Sequence, residues 1–370
     1  MVKRTRRLTM LDIADMAGVD KAVVSKVVNN AKTIPASREK VERVREIIRK
    51  YHYTPLSSAQ SLATKCTRQI AFLLSDASEA LLANPAFSLM LTGVVKACQE
   101  HHYQCQVDIC DFMNIHDFIV PENLRNRSID GCILAGAMHD EALAKIAGIR
   151  MPIVVLGGRH IRRKVPIISR DSLKENGIFL DYALKHGHTR IWIASNSGNA
   201  KHDFGILKKE RPQCQISLLD GPHEDEIVFA YHWTKRFLSL PQPERPTLIF
   251  GADQFCCVMA RELARNGVHC PNDISFMCFS DTEMAACYNP ALTVYSERHS
   301  AVGYRGAQVL IEMLEKNLSP EEAIRLANSD IPVSNLIERE SVKDLTQGCK
   351  RKKVKRTLKI QIANKKRSKP

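Results

Sequence analysis

The chain of 370 residues has no apolar run approaching the length of a membrane-spanning helix, which excludes a helical membrane protein. Its twelve cysteines never form a Cys-x-x-Cys pair, and neither Cys256-Cys257 nor Cys105…Cys110 has zinc-site spacing. Reduced, mostly buried thiols and no metal are therefore expected. A P-loop, a GxGxxG turn, and a GxSxG elbow are missing as well, so a doubly wound enzyme acting on a nucleotide or sugar finds no motif to carry it. We predict no catalytic residue and no cofactor. His186 and His188 stand in a Lys-His-Gly-His turn after a helical stretch, with no carboxylate or cysteine motif beside them, and read as turn residues rather than metal ligands.

What is present is ordinary in amount but uneven in place. Hydrophobic residues at 44% and charged residues at 25% suit a globular protein of two or three domains. Residues 1–65 hold 14 Lys/Arg against 6 Asp/Glu and residues 343–370 hold 12 against 1, so the +14 net charge leaves the middle at −5. Positive ends on a mildly acidic body suggest segments that meet a polyanion, nucleic acid foremost. The basic N-terminus breaks into amphipathic sequence without the apolar core of a secretory signal, which predicts a cytoplasmic protein.

Thr9 can cap a helix with Asp12 as its acidic partner, and Met10, Ile13, Ala14 and Ala17 recur at helical spacing until Gly18 stops it. Asp20 can cap a second helix, Lys21 to about Asn29, with Val24, Val27 and Val28 as its apolar stripe. The opposite face carries Ala22, Ser25, Lys26 and Asn29, flanked by Lys21 and Val23. Two short helices joined by a glycine turn, the second with a small, polar and basic outer face, describe a helix-turn-helix with a recognition helix. A third amphipathic helix is predicted from about Ser37 to Tyr51, with Val41, Val44, Ile47, Ile48 and Tyr51 inward, and Pro55 can start a short helix after it.

The segments TMLDIADMAGVDKAVVSKVVNN at 9–30 and YTPLSSAQSLATKCTRQIAFLL at 53–74 resemble the LacI family of bacterial transcription regulators. The resemblance implies a hinge helix that folds on DNA, with Ala59 and Leu62 as contacts and Leu62 as a wedge in the minor groove. It marks Lys21 and Ala22 as base readers and Thr9, Ser25, Lys26 and Asn29 as mostly positional. The chain departs from the usual pattern at Asp20, Val23, Lys26 and Leu56, and its third helix is about three residues longer than usual. These departures alter contacts rather than the fold.

From Gln69 onward, short apolar runs alternate with helical patterns: QIAFLL, YQCQVDIC, IDGCILAG and MPIVVLGG, then RIWIAS, CQISLL, TLIFGA, ISFMCF and LTVYS. The alternation predicts βαβ units in two successive parallel sheets with a ligand cleft at the strands' carboxyl ends. The resemblance extends to IPVSNLIERES at 331–341 and implies the two-lobed fold of periplasmic sugar-binding proteins, crossed by about three strands. It implies a homodimer on a pseudo-palindromic double-stranded operator, a repressor expected to be controlled by a small effector, with a carbohydrate the default. The matching cleft positions are Asp171, Asp253, Ser280 and Asp281.

Those positions also carry departures. Ser280 stands where family members have an acid, Ala252 where an Asn is common, and SNSGNAKHDFGILKKE lacks the effector-gripping Arg, with only Lys201 or His202 to replace it. An altered or lost effector site is the alternative these changes raise; Asp171 can also serve as a helix cap. A sugar-binding receptor without DNA-binding activity has no use for residues 1–65. The domain organisation expected is 1–54 helix-turn-helix, 55–67 hinge, 68–342 two-lobed effector-binding and dimerisation domain, and 343–370 a basic disordered tail that is not an apolar heptad.

Overall fold

The computed structural model describes residues 8–29, 31, 33–54, 66–75, 85–136, 138–157, 164–169, 171–195, 200–219 and 226–346, in two units divided between Arg68 and Gln69. The hinge positions Ala59 and Leu62 and the basic run 347–370 lie outside the described residues.

The first unit is three helices, α1 (Met10–Ala17), α2 (Lys21–Val28) and α3 (Arg38–Lys50). Thr9 opens α1 with a capping box, its hydroxyl accepting the Asp12 N–H at 3.3 Å while the Asp12 carboxylate accepts the Thr9 N–H at 2.7 Å. Gly18 ends the helix at φ 64°, a left-handed conformation that costs glycine nothing. Asp20 then caps α2, accepting the Ala22 N–H at 2.7 Å, and Ser37 caps α3. Ile13, Ala14, Ala17, Val23, Val24, Val27 and Val44 form the core. Two expectations are corrected here. Val23, placed on the flank of the outer face, is buried while Val28 is only half-buried, because α1 and α3 close over that flank. Tyr51 is exposed, and Tyr53 packs against the core in its place.

The second unit has two sheets. In the first lobe, β1 (Gln69–Ser75), α4 (Pro85–Glu100), β2 (Gln104–Cys110), α5 (Glu122–Arg125), β3 (Gly131–Ala135), α6 (Asp140–Ala147), β4 (Ile153–Leu156) and β5 (Ile167–Ile168) build a parallel sheet of order β2-β1-β3-β4-β5. Central β1 is buried on both faces from Ile70 to Ser75, as its unbroken apolar run requires. In the second lobe follow α7 (Ser172–Lys185), β6 (Arg190–Ile193), α8 (Ala200–Glu210), β7 (Gln215–Leu218), α9 (Glu226–Ser239), β8 (Leu248–Gly251), α10 (Asp253–Arg265), β9 (Ser275–Cys278), α11 (Glu283–Cys287) and β10 (Thr293–Ser296). The chain then returns as α12 (His299–Lys316) and α13 (Pro320–Asn328), whose Val302, Leu310, Ala323 and Ala327 pack on the first sheet, and crosses again to β11 (Asn335–Ile337). The second sheet runs β11-β10-β9-β8-β6-β7, parallel except for β11.

The chain therefore passes between the lobes three times: between β5 and α7, between β10 and α12 at 297–298, and between α13 and β11 at 329–334. The returning helix is fixed by glycine. A Cβ on Gly93 of α4 would lie 1.9 Å from the Ser300 carbonyl oxygen, and one on Gly303 of α12 would lie 2.0 Å from that of Met90, so the two helices meet backbone to backbone.

The tail boundary expected at 343 moves. Lys343 N–H donates to Ser275 Oγ at 3.0 Å and Leu345 N–H to the His186 carbonyl at 2.9 Å, so residues 343–346 belong to the second lobe. His188 is buried beside them, with Nε2 3.0 Å from the Lys343 carbonyl and Nδ1 3.1 Å from Thr247 Oγ1. Burial holds its pKa down at about 4.

Candidate functional site

The outer face of α2 is the first candidate. Lys21, Ala22, Lys26 and Asn29 are exposed and Ser25 is half-buried, with its Oγ 3.5 Å from Asn29 Nδ2. Burial of Val23, Val24 and Val27 on the inner side fixes the rotation of the helix, so the polar face is held outward by the core rather than by its own hydrogen bonds. Thr9 stands exposed at the α1 N-terminus with its hydroxyl 2.8 Å from the Asp12 carboxylate. The structure thus brings Lys21, Ala22, Ser25, Lys26 and Asn29 onto one helix face. On α3, Glu42 holds Arg49 at 2.7 Å and Arg45 at 3.3 Å, which lowers the local excess of positive charge. The capping role of Asp12 was legible from its spacing to Thr9; the burial of Val23 was not.

The carboxyl ends of the second sheet are the second candidate. Asp253 opens α10 one residue after β8, and Ser280 and Asp281 follow the neighbouring β9, so these three gather at one end of the sheet. Each has an internal role. Buried Asp253 accepts a short hydrogen bond from the Thr282 hydroxyl, which in turn caps α11. Asp281 forms an ion pair of 2.6 Å with Arg339. Ser280 is buried and its carbonyl accepts the Cys278 thiol at 3.6 Å. Asp171, on the first crossing segment, caps α7 by accepting the Lys174 N–H at 3.2 Å. Lys201 and His202 lie exposed on α8.

Two groups here escaped the sequence reading. Asp203 of α8 is buried and accepts a hydrogen bond of 2.5 Å from Ser172, and buried His299 stands with Nε2 3.4 Å from the Glu297 carboxylate at the second crossing. Neither has a motif; only the fold puts a serine of α7 against an acid of α8. Among the described residues no group of three His, Cys, Asp or Glu side chains could hold a metal ion, and the eleven described cysteines are all free. Burial pushes the Cys132, Cys257 and Cys270 thiols up to about 12, far from the reactive thiolate form. No described helix is long and apolar enough to cross a membrane.

Comparison with known proteins gives this geometry a family. Residues 9–56 match the bacterial regulatory proteins of the lacI family, and residues 180–342 match the periplasmic binding protein-like domain. The HTH-type transcriptional regulator MalR of Streptococcus pneumoniae serotype 4 is 29% identical over 191 residues, covering 51% of this chain and 57% of that protein, so the match spans little more than half of the relative. The repressor PurR of Pasteurella multocida is 26% identical over 85% of this chain and 94% of its own length. The ribose operon repressor of Haemophilus influenzae is 25% identical over 86% and 94%. The lac repressor dimer bound to operator and the anti-inducer ONPF superposes with a TM-score of 0.73 at 20% identity, covering 91% of this chain and all of that one, a likeness of fold. With the first match lying on the helix-turn-helix and the second on residues 180–342 of the two-sheet body, the chain joins a lacI-type helix-turn-helix domain to a periplasmic binding protein-like domain.

Proposed function

We propose that this protein is a sequence-specific DNA-binding transcription regulator, a repressor that acts in the cytoplasm as a homodimer and responds to a small, sugar-like effector between its lobes. The observation that carries the reading is the exposed polar and basic face of α2, held outward by its buried valines on a unit of net positive charge. In this reading Lys21 and Ala22 select sequence, Thr9, Ser25, Lys26 and Asn29 set position, and Ala59 and Leu62 of the hinge meet the minor groove. Residues 1–54 read DNA, 55–67 couple, 68–342 sense and dimerise, and the basic terminal run adds phosphate contacts.

Exposed apolar side chains support the dimer. Ile227, Val228 and Tyr231 of α9 and Met284 of α11 stand out from the second lobe, and Val107 and Ile109 from edge strand β2 of the first. The DNA reading is tested by retention of genomic fragments: the wild-type protein should enrich a small set of fragments that Lys21→Gln and Ala22→Gln variants do not. Equal retention of all fragments by all three would contradict it.

A second reading, an effector site altered from the sugar-binding pattern or lost, is favoured by one arrangement: Asp253 and Asp281 are committed to Thr282 and Arg339, and Ser280 offers only a buried hydroxyl. Sugars, sugar acids and nucleosides screened by thermal shift separate the two. A hit that also changes operator affinity supports a working sensor; a blank screen with specific DNA binding intact supports the second reading.

A further inference from the structure

Two thiols of the first lobe meet where α4 ends. Cys98 lies in the last turn of that helix, and Cys105 is the second residue of β2. The helix closes in a Schellman turn: the Tyr103 N–H donates to the Cys98 carbonyl at 2.8 Å and the His102 N–H to the Gln99 carbonyl at 3.3 Å, with His102 at φ 58°. The turn doubles the chain back on the helix, so that Cys105 packs against the same apolar cluster that buries Cys98 and Tyr103. The sheet fixes Cys105 from the other side, because it stands opposite Ile70 of β1, a member of that cluster. Helix, turn and strand register thus converge on one contact, in which the Cys105 thiol is hydrogen-bonded to the Cys98 sulfur.

The two members of the pair are unequal. The hydrogen bond from Cys105 holds the Cys98 thiol below its ordinary pKa, and the same bond, with burial, pushes Cys105 up. The Gln106 carbonyl, 3.6 Å from the Cys105 sulfur, also favours a protonated Cys105. Cys132, Cys257 and Cys270 differ from Cys98, since burial raises all three. Cys105 is only half-buried, which leaves the pair open to a small solute from its side.

We infer that Cys98 and Cys105 form a reversible oxidation site, a dithiol that a hydroperoxide converts to a disulfide. The Cys98 thiolate takes one peroxide oxygen as the O–O bond breaks, and the departing hydroxide leaves as water with the proton Cys98 has given up. The Cys105 sulfur then attacks the Cys98 sulfenic acid; the S–O bond breaks, and the hydroxyl leaves with the Cys105 proton as a second water. Two thiols are oxidised to one disulfide and one hydrogen peroxide is reduced to two waters. The bridge pins the end of α4 to β2 opposite Gln69 and Ile70, where the body's sheet begins. None of the positions assigned to DNA or effector takes part, and in a reducing compartment such a bridge is transient, as suits a sensor.

The test is peroxide treatment of the reduced full-length protein, followed by alkylation and peptide mapping by mass spectrometry. Exposure alone makes Cys287 the first thiol to react, since it is the exposed one among the described cysteines. We expect instead that Cys98 reacts about tenfold faster than Cys287, and that a Cys98–Cys105 bridge appears as the loss of two hydrogens, restored by dithiothreitol. In Cys105→Ser the bridge is lost and Cys98 stops at a sulfenic acid that dimedone traps; in Cys98→Ser both products vanish. Thermal melts verify that the variants fold, and the wild-type comparison needs no variant. Oxidation of Cys287 while Cys98 and Cys105 stay reduced overturns the site, as does a bridge to Cys105 that survives Cys98→Ser.

Discussion

Lys26 and Ala22 stand four residues apart on the same helix face, yet their chemistry sets them different tasks. An exposed ammonium beside the Ser25 hydroxyl is suited to a phosphate, and a methyl can only exclude or touch, for instance at a thymine methyl. Lys26→Gln should therefore weaken binding to all duplexes alike and reduce the log–log salt slope by about 0.9, as read by fluorescence anisotropy across a salt series. Ala22→Gln should leave that slope unchanged and shift the preferred sequence. The polarity of this face was legible from spacing, because a 3.6-residue period assigns sides to a helix as short as α2. Which valine faces inward was less so: Val23 is buried because α1 and α3 reach over it, a tertiary effect that no periodicity contains. The same limit applies at the cleft. Asp253, Ser280 and Asp281 could be placed at strand ends from sequence, but their engagement with Thr282, Cys278 and Arg339 depends on elements up to 58 residues apart.

Among the elements, the inner strands of both lobes, such as β1, β3, β8 and β9, were readable as short apolar runs, since parallel strands buried on both faces leave no polar alternation to mislead. The two-residue β5 and three-residue β11 are too short to produce such a run, and β11 joins its sheet only through the third crossing. Helix contacts were hidden too. Gly93 and Gly303 look unremarkable in sequence, yet each abuts the backbone of the other helix. Gly93→Ala and Gly303→Ala should each cost about 3 kcal/mol, the upper part of the overpacking range, measured by urea unfolding. Gly205, in the exposed part of α8 with nothing within 4 Å of a built Cβ, is the control: Gly205→Ala should stabilise by up to about 1 kcal/mol.

The joint between α7 and the chain's last described residues carries a pH dependence. His188 ionises at about 4 when folded and near 6.5 when free, so the unfolded chain takes up its proton first as pH falls. The stability associated with neutral His188 is complete above pH 6.5 and is lost between there and pH 4, up to about 3 kcal/mol. Unfolding free energies at pH 7, 5.5 and 4.5 should fall along this course in the wild type and less steeply in His188→Gln; parallel slopes in the two proteins would assign the loss to other groups.

At the scale of the molecule, the charge distribution follows the two-unit organisation: a basic unit at one end, an acidic body, and a basic run after it. Removal of 347–370, which leaves the hydrogen bonds of 343–346 in place, should lower the salt slope of DNA binding without changing the preferred sequence. An unchanged slope would make that run a bystander. The apolar residues exposed on α9, α11 and β2 predict a particle near twice 41.7 kDa by light scattering, and polar replacement of Val228 and Tyr231 should shift it toward the monomer.

Selection of bound sequences from a random duplex pool tests the central claim most directly, because it asks for sequence specificity and two-fold symmetry at once. The account predicts one enriched site with two inverted half-sites, occupied by two chains, and loss of that enrichment when Lys21 and Ala22 are both replaced. A pool that stays random at physiological salt, or an enriched site without symmetry bound by a single chain, would contradict it.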